Sequence, residues 1–234
     1  MDADAWDDRY SASELVWSVG PNQFVAAELA DLPAGRALDL AAGEGRNALW
    51  LAGRGWQVTA VDFSRVALDK GRVLERRQQA SRPGSRDVEW VVADALTFEP
   101  PSELDLALLA YLQLPGDQRR TAVRRAFGAL AVGGTLFLVA HDSTNLAEGT
   151  GGPQDPEVLF TAEEVLGDLD GERFDVVRAE RVARDVAVGG DHRGHEGHGE
   201  QDHQHQGHQH QGHQHQAGAR TTAYDCLVRL VRAG

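Results

Sequence analysis

Apolar residues in this chain come in short runs separated by amphipathic stretches, a pattern of strands alternating with helices. Residues 36–41 form an apolar run that stops at Gly43-Glu44-Gly45, which predicts a buried strand and then a turn. Residues 47–54 predict a helix ended by Gly55. The β-branched run Gln57–Asp62 predicts a second strand. Ser64 is placed to cap a helix over residues 65–79, which Pro83-Gly84 breaks. Residues 88–93 and 105–110 predict the third and fourth strands. Asp117 is placed to cap a helix running to Ala131, and Gly133-Gly134 turns the chain into a fifth strand over 135–140. A long loop over 142–160 follows, and loops of that length are often functional. Thr161 and Glu164 have the spacing of a capping box and start another helix. Residues 174–188 and 222–231 read as two final strands with no helix between them.

Strands separated by helices imply an α/β, doubly wound, seven-stranded sheet that is mostly parallel. The last two strands must pair antiparallel, because nothing between them can serve as a helical crossover. An open sheet of this kind binds ligand beyond the carboxyl ends of its strands.

Composition narrows the function classes. The chain has 234 residues, 41% hydrophobic and 25% charged, as an ordinary globular chain does. A formal charge of −13 repels phosphate backbones, so nucleic-acid partners are disfavoured. No apolar run approaches the roughly 20 residues of a membrane helix. The acidic N-terminus lacks the apolar core of a secretory signal, and Cys226 alone forms no intrachain disulfide; a cytoplasmic location is the expectation.

One segment stands apart. Residues 189–218 are Gly, His, Gln and acid, with nine of the ten histidines. A His-Gln-His-Gln unit recurs from His203, His208 and His213. Such a stretch cannot bury enough apolar area to offset its ordering entropy, so it reads as a disordered insert at the tip of the last hairpin. The remaining 1–188 plus 219–234 are expected to form one domain. Imidazole suits Ni, Zn and Cu, which makes His203, His205, His208, His210, His213 and His215 candidate ligands. The plain alternative is a repeat with no function.

Candidate chemistry gathers at the predicted strand ends. Gly43 and Gly45 let the backbone turn sharply and approach a ligand, although the spacing Gly43-x-Gly45-x-x-Ala48 also fits a dinucleotide turn or packing alone. Asp62 ends the second strand, where a carboxylate can accept both hydrogens of a ribose diol or cap the next helix. Asp39 lies inside the first strand end, and a buried carboxylate is costly unless paired. A ligand carrying an ammonium and a sulfonium would pair with it; a dinucleotide pyrophosphate would be repelled. Asp94 closes the third strand and can accept from an adenine amino group while the Ala95 N–H donates to the ring, or it can cap a turn.

With those residues in view, the chain resembles class I S-adenosylmethionine-dependent methyltransferases over residues 6–188 and 219–232. The stretch LDLAAGEGRNALWLAGRGWQVTAVDFS is especially similar to the tellurite-resistance and thiopurine-methyltransferase-like branch. That branch commonly has Gly-Cys where this chain has Ala41-Ala42, so Ala41 is expected at negative φ. The resemblance implies that Asp39, Gly43 and Gly45 cradle the methionine part of the cofactor, Asp62 its ribose, and Phe63, Asp94 and Ala95 its adenine. It also implies that residues 1–35 form a helical lid closed by Arg9, Tyr10 and Trp17, and that Tyr111 lines the transfer side. The bland reading of Tyr10 and Trp17 is core packing.

Methyl transfer needs positioning and a water-poor site above all. A soft nucleophile, a thiolate or a chalcogen oxyanion, needs no general base; oxygen and nitrogen acceptors often do. Candidate bases are Tyr111, His141 and Asp142, the last two directly after the fifth strand. The expected function is methyl transfer from S-adenosylmethionine to a small molecule. The alternatives are a metal-buffering protein on this scaffold, using the histidine tract, and a nicotinamide enzyme using the same glycine turn.

Overall fold

The computed structural model describes residues 3–12, 15, 20–81, 84–187 and 220–234. Trp17 and the histidine tract, with its six candidate metal ligands, lie outside the described residues.

Two helices, α1 (Ala3–Ser11) and α2 (Gln23–Leu29), precede the first strand. There follow β1 (Arg36–Leu40), α3 (Arg46–Ala52), β2 (Gln57–Asp62), α4 (Arg65–Ser81), β3 (Val88–Val92), β4 (Leu104–Ala110), α5 (Gly116–Gly128) and β5 (Leu130–His141). A short α6 (Asn145–Glu148), α7 (Ala162–Asp168), β6 (Phe174–Ala187) and β7 (Arg220–Arg232) complete the chain. The sheet has seven strands in the order β3-β2-β1-β4-β5-β7-β6. β1 to β5 pair in parallel, and β7 runs antiparallel to both neighbours. This is the expected doubly wound sheet with its antiparallel last strand.

The central strands are apolar on both faces because each face is covered. Leu38, Leu40, Leu109, Leu136 and Leu138 pack with Val123, Phe127 and Val165 of α5 and α7. Alternate residues Ala37, Val58, Ala60, Leu106, Leu108 and Phe137 pack with Val25, Leu49 and Leu51 of α2 and α3. Asp39 alternates with Leu38 and Leu40, so it faces the α3 side of the sheet.

Local rules account for most boundaries. Ser64 Oγ accepts from the Ala67 N–H at 3.1 Å, the expected cap of α4. Thr161 and Glu164 form the full capping box. Three expectations need correction. Pro115, not Asp117, stands at the N-cap of α5, where a fixed φ suits the entry to a helix; Asp117 is in the first turn. α5 ends at Gly128 rather than Ala131, and β5 starts at Leu130. Gly133-Gly134 therefore lies within β5: the β4 pairing shifts there from Leu130 to Thr135, and Gly133 has φ +86°. A Cβ on Gly134 would sit 2.6 Å from the Leu104 carbonyl, so the bulge requires glycine.

The third correction is Ala41, which has φ +63° rather than the negative value expected. β1 ends at Leu40 because the chain turns left-handed there. A side chain in that region costs about 1–2 kcal/mol, part of which glycine's extra unfolded-state freedom offsets. Ala41→Gly is accordingly expected to raise unfolding free energy by about 0.5–1 kcal/mol, read as a higher urea midpoint at unchanged slope. An unchanged or lower midpoint would rule out strain at this residue.

Candidate functional site

Strand order reverses between β1 and β4, which opens a crevice at their carboxyl ends. Leu40 and Leu109 are register partners, so Ala41 and Tyr111 leave neighbouring strands almost side by side. Both are non-glycine residues at positive φ, +63° and +60°. Backbone strain of this kind concentrates at functional sites.

The glycine turn is tied down from both sides. The Ala42 N–H bonds the Val61 carbonyl at 2.9 Å, and the Gly43 N–H bonds Asp62 Oδ2 at 2.8 Å. Asp62 Oδ1 accepts from the Ser64 N–H at 2.9 Å. Asp62 is buried, and burial raises its pKa against those backbone donors. It thus fixes the glycine turn, while Ser64 rather than Asp62 caps the next helix, and each oxygen keeps a second lone pair for a ligand. Gly45, at φ +74°, caps α3; a Cβ there would lie 2.3 Å from the Trp90 ring. Part of its need for glycine is therefore packing.

Asp39 is the anomaly. It is 1% exposed, its strand neighbours are Ala60 and Leu108, and neither carboxylate oxygen has an aligned hydrogen-bond partner among the described residues. Burial pushes its pKa to about 7; the nearby Ala48 N–H and Arg46 oppose the rise, and Asp62 adds to it. The donor set fits a cationic group: an unsatisfied carboxylate beside a glycine turn and a second carboxylate.

The segment expected to form a lid begins with α1. α1 lies on α4, where the Ser64 hydroxyl donates to Asp7 and the Lys70 ammonium donates to the Tyr10 carbonyl. Lys70 also pairs with buried Glu44 at 3.5 Å. Tyr10 is buried, whereas Arg9 is exposed, its guanidinium 5.0 Å from the Trp6 ring. Phe63 and Ala95 are half-buried. Asp94 is exposed, and its Oδ1 accepts from the Leu96 N–H at 2.8 Å, the turn-capping alternative.

On the other side of the crevice the structure brings Tyr111 and His141 together, rings 5.0 Å apart, and separates Asp142 from them in role. Asp142 is buried and its Oδ1 accepts from both the N–H and the hydroxyl of Thr144, so it builds the turn after β5. Sequence reasoning missed Asp225. This fully buried residue of β7 accepts from the Tyr111 hydroxyl at 2.9 Å and from Arg184 Nε at 2.8 Å, both at Oδ2. His141 Nδ1 lies 3.3 Å from Asp225 Oδ1. His141 and Arg184 hold the Asp225 carboxyl below its usual range despite burial. Burial and Asp225 raise the Tyr111 pKa, keeping its phenol protonated. Arg46, also missed, couples electrostatically to Asp39 and Tyr111 and so links the two sides. The signals available were an acid inside the apolar run of β7 and an arginine directly after the glycine turn.

Residues 37–134 match the sequence model of the methyltransferase domain family. No curated protein matches the chain. Among solved structures, one reported for the conversion of a disulfide bond into a thioacetal group during echinomycin biosynthesis is 19% identical, covering 99% of this chain and 92% of its own, with TM-score 0.65. TehB from Haemophilus influenzae is 13% identical over 98% of this chain and 66% of its own, TM-score 0.65. The N-methyltransferase NodS from Bradyrhizobium japonicum WM9, solved with S-adenosyl-L-homocysteine, is 18% identical over 100% of both chains, TM-score 0.63. The chain has the Rossmann-like fold of S-adenosylmethionine-dependent methyltransferases. Among the described residues no helix is long and apolar enough to cross a membrane, and no group of three or more His, Cys, Asp or Glu could hold a metal ion.

Proposed function

We propose that the protein transfers a methyl group from S-adenosylmethionine to a small-molecule acceptor. The observation that carries this is Asp39, a buried carboxylate with no aligned hydrogen-bond partner among the described residues, set beside a strained glycine turn at the sheet's switch point. Asp39 would take the cationic methionine end of the cofactor, and Gly43 and Gly45 leave the backbone open to it. Asp62 would accept from the ribose, with Phe63, Asp94 and Ala95 around the adenine. Tyr10 closes the crevice from α1, with Arg9 and Trp17 assigned to the same lid. When bound, the cofactor supplies an electrophilic methyl group on a good leaving group. The chain supplies orientation and exclusion of water, and Tyr111 stays protonated as a hydrogen-bond donor.

The soft-nucleophile class, a thiol or a chalcogen oxyanion, is the acceptor that the likeness to the tellurite-resistance branch suggests. The nicotinamide reading is disfavoured by Asp39, which would meet a pyrophosphate with a buried carboxylate. No comparison favours metal buffering as the main role.

Calorimetric titration tests the reading. S-adenosylmethionine is expected to bind in roughly the micromolar range, NADH not to bind, and Asp62→Ala to weaken S-adenosylmethionine roughly tenfold or more by removing two backbone anchors and the ribose acceptor. No binding of S-adenosylmethionine to the wild type would refute the proposal; metal binding alone would favour the buffering alternative.

A further inference from the structure

His141 and Asp225 are register partners across the antiparallel β5–β7 ladder, so their side chains share one face. Asp225 is an expensive residue to bury, and three elements support it. Tyr111, after β4, and Arg184, on β6, both donate to Oδ2. That leaves Oδ1 facing His141 Nδ1 at 3.3 Å, and these two atoms are buried with no aligned hydrogen bond. Such contacts are often long before a substrate arrives.

The ring itself is held. The backbone of residue 152 lies against its face, close enough that a Cβ there would sit 3.0 Å from three ring atoms. The His141 N–H donates to Gln113 Oε1 at 2.8 Å. The side chain remains 14% exposed although Nδ1 is buried, so Nε2 is the nitrogen left for an incoming molecule.

We infer that His141 Nε2 takes a proton from the methyl acceptor and that Asp225 positions the ring for it, so that the acceptor arrives as a proton-bearing thiol, hydroxyl or ammonium rather than as a chalcogen oxyanion. This rests on the methyltransferase reading. The acceptor's X–H proton moves to Nε2, and its electron pair stays on X, which becomes the nucleophile. The imidazolium formed is offset by the Asp225 carboxylate, as in other histidine–carboxylate pairs. Asp225 acts through His141 and is a positioning residue, with Tyr111 and Arg184 anchoring it. Other charges around the pair are Asp142, next in the chain, and Arg46 of α3, which reaches it through Tyr111 and Arg184.

The test is nitrogen-15 NMR of the histidines in the full chain, with His141 identified by its loss in His141→Gln. In the ligand-free wild type, neutral His141 is expected as the Nδ1–H tautomer. Asp225→Asn is expected to shift neutral His141 toward the Nε2–H tautomer, because the amide can donate to Nδ1. At fixed pH the His141 Nε2 resonance is expected to differ between the complexes with S-adenosylmethionine and with S-adenosylhomocysteine, which lacks the sulfonium charge. A histidine turned away from the transferred methyl would not separate the two ligands. The Nε2–H tautomer in the wild type, or the same Nε2 resonance with both ligands, would overturn the inference, and both are wild-type measurements that need no variant to fold. If calorimetry shows that S-adenosylhomocysteine does not bind, the methyltransferase reading falls, and this inference with it.

Discussion

Replacing Asp39 with asparagine is expected to strengthen the fold and weaken the binding of S-adenosylmethionine. The folded chain holds the Asp39 proton up to about pH 7, whereas the unfolded chain loses it near 3.8. An acid shifted upward in this way costs stability as pH rises from about 4 to 7, after which the cost is constant. A rise of about three pKa units corresponds to about 4 kcal/mol, and relaxation of the site reduces that to about 2–4 kcal/mol at pH 8. Asp39→Asn should therefore melt several degrees higher than the wild type at pH 8 and equally at pH 4. S-adenosylmethionine affinity should fall roughly 100-fold, the scale of losing one partner of a buried charge pair. In the wild type the affinity should drop about tenfold per unit below pH 7, because binding must first expel the proton. A variant that is no more stable at pH 8, or that binds normally, would refute the account of this residue.

Asp168→Ala is expected to do the opposite, unfolding the chain without touching the crevice. Arg119 of α5 donates to both oxygens of Asp168 on α7, at 2.6 and 3.3 Å. Both residues are buried, and Arg120 Nε approaches the same carboxylate at 3.4 Å. The Arg119 guanidinium also sits 4.7 Å from the Phe160 ring. Removing the carboxylate leaves a buried cation with only the exposed Glu164 carboxylate at 3.9 Å, and losing a buried partner costs about 3–5 kcal/mol. For a chain of this size the melting temperature should fall by roughly 6–20 °C, followed by circular dichroism. Arg119→Met with Asp168→Leu should recover much of the loss, since the pair is worth less than either half alone is damaging. A single-variant loss below about 1 kcal/mol would show that the pair is effectively solvated.

The sheet was legible because its signals are local and repeated. Gln57–Asp62 is read identically from sequence and structure, since β-branched residues bounded by turn signals leave no alternative. The capping box at Thr161 carries its own geometry in two residue types. Errors fell where tertiary context overrides local preference. Gly133-Gly134 looks like a turn from sequence, yet pairing with β4 draws it into a strand as a bulge. Ala41 takes a glycine conformation because the turn behind it is fixed by Val61 and Asp62, which no local rule could show. On the cofactor side, strand-end carboxylates were readable because topology predicts where ligands bind. Asp225 was not, since its role depends on which strand lies beside β5, and sequence order does not reveal that β7 enters there.

That placement ties the chemistry to the order in which the chain is made. β7, the last strand in sequence, lies between β5 and β6, which are translated before it. The cofactor crevice is assembled wholly from earlier segments, but half of the His141–Asp225 pair arrives only when the final strand slots into the gap. A fold arrested before that step would have a place for the methyl donor and no means of handling the acceptor's proton. Under the proposed roles, closing the sheet with β7 is the step that would bring proton handling to a donor crevice already built.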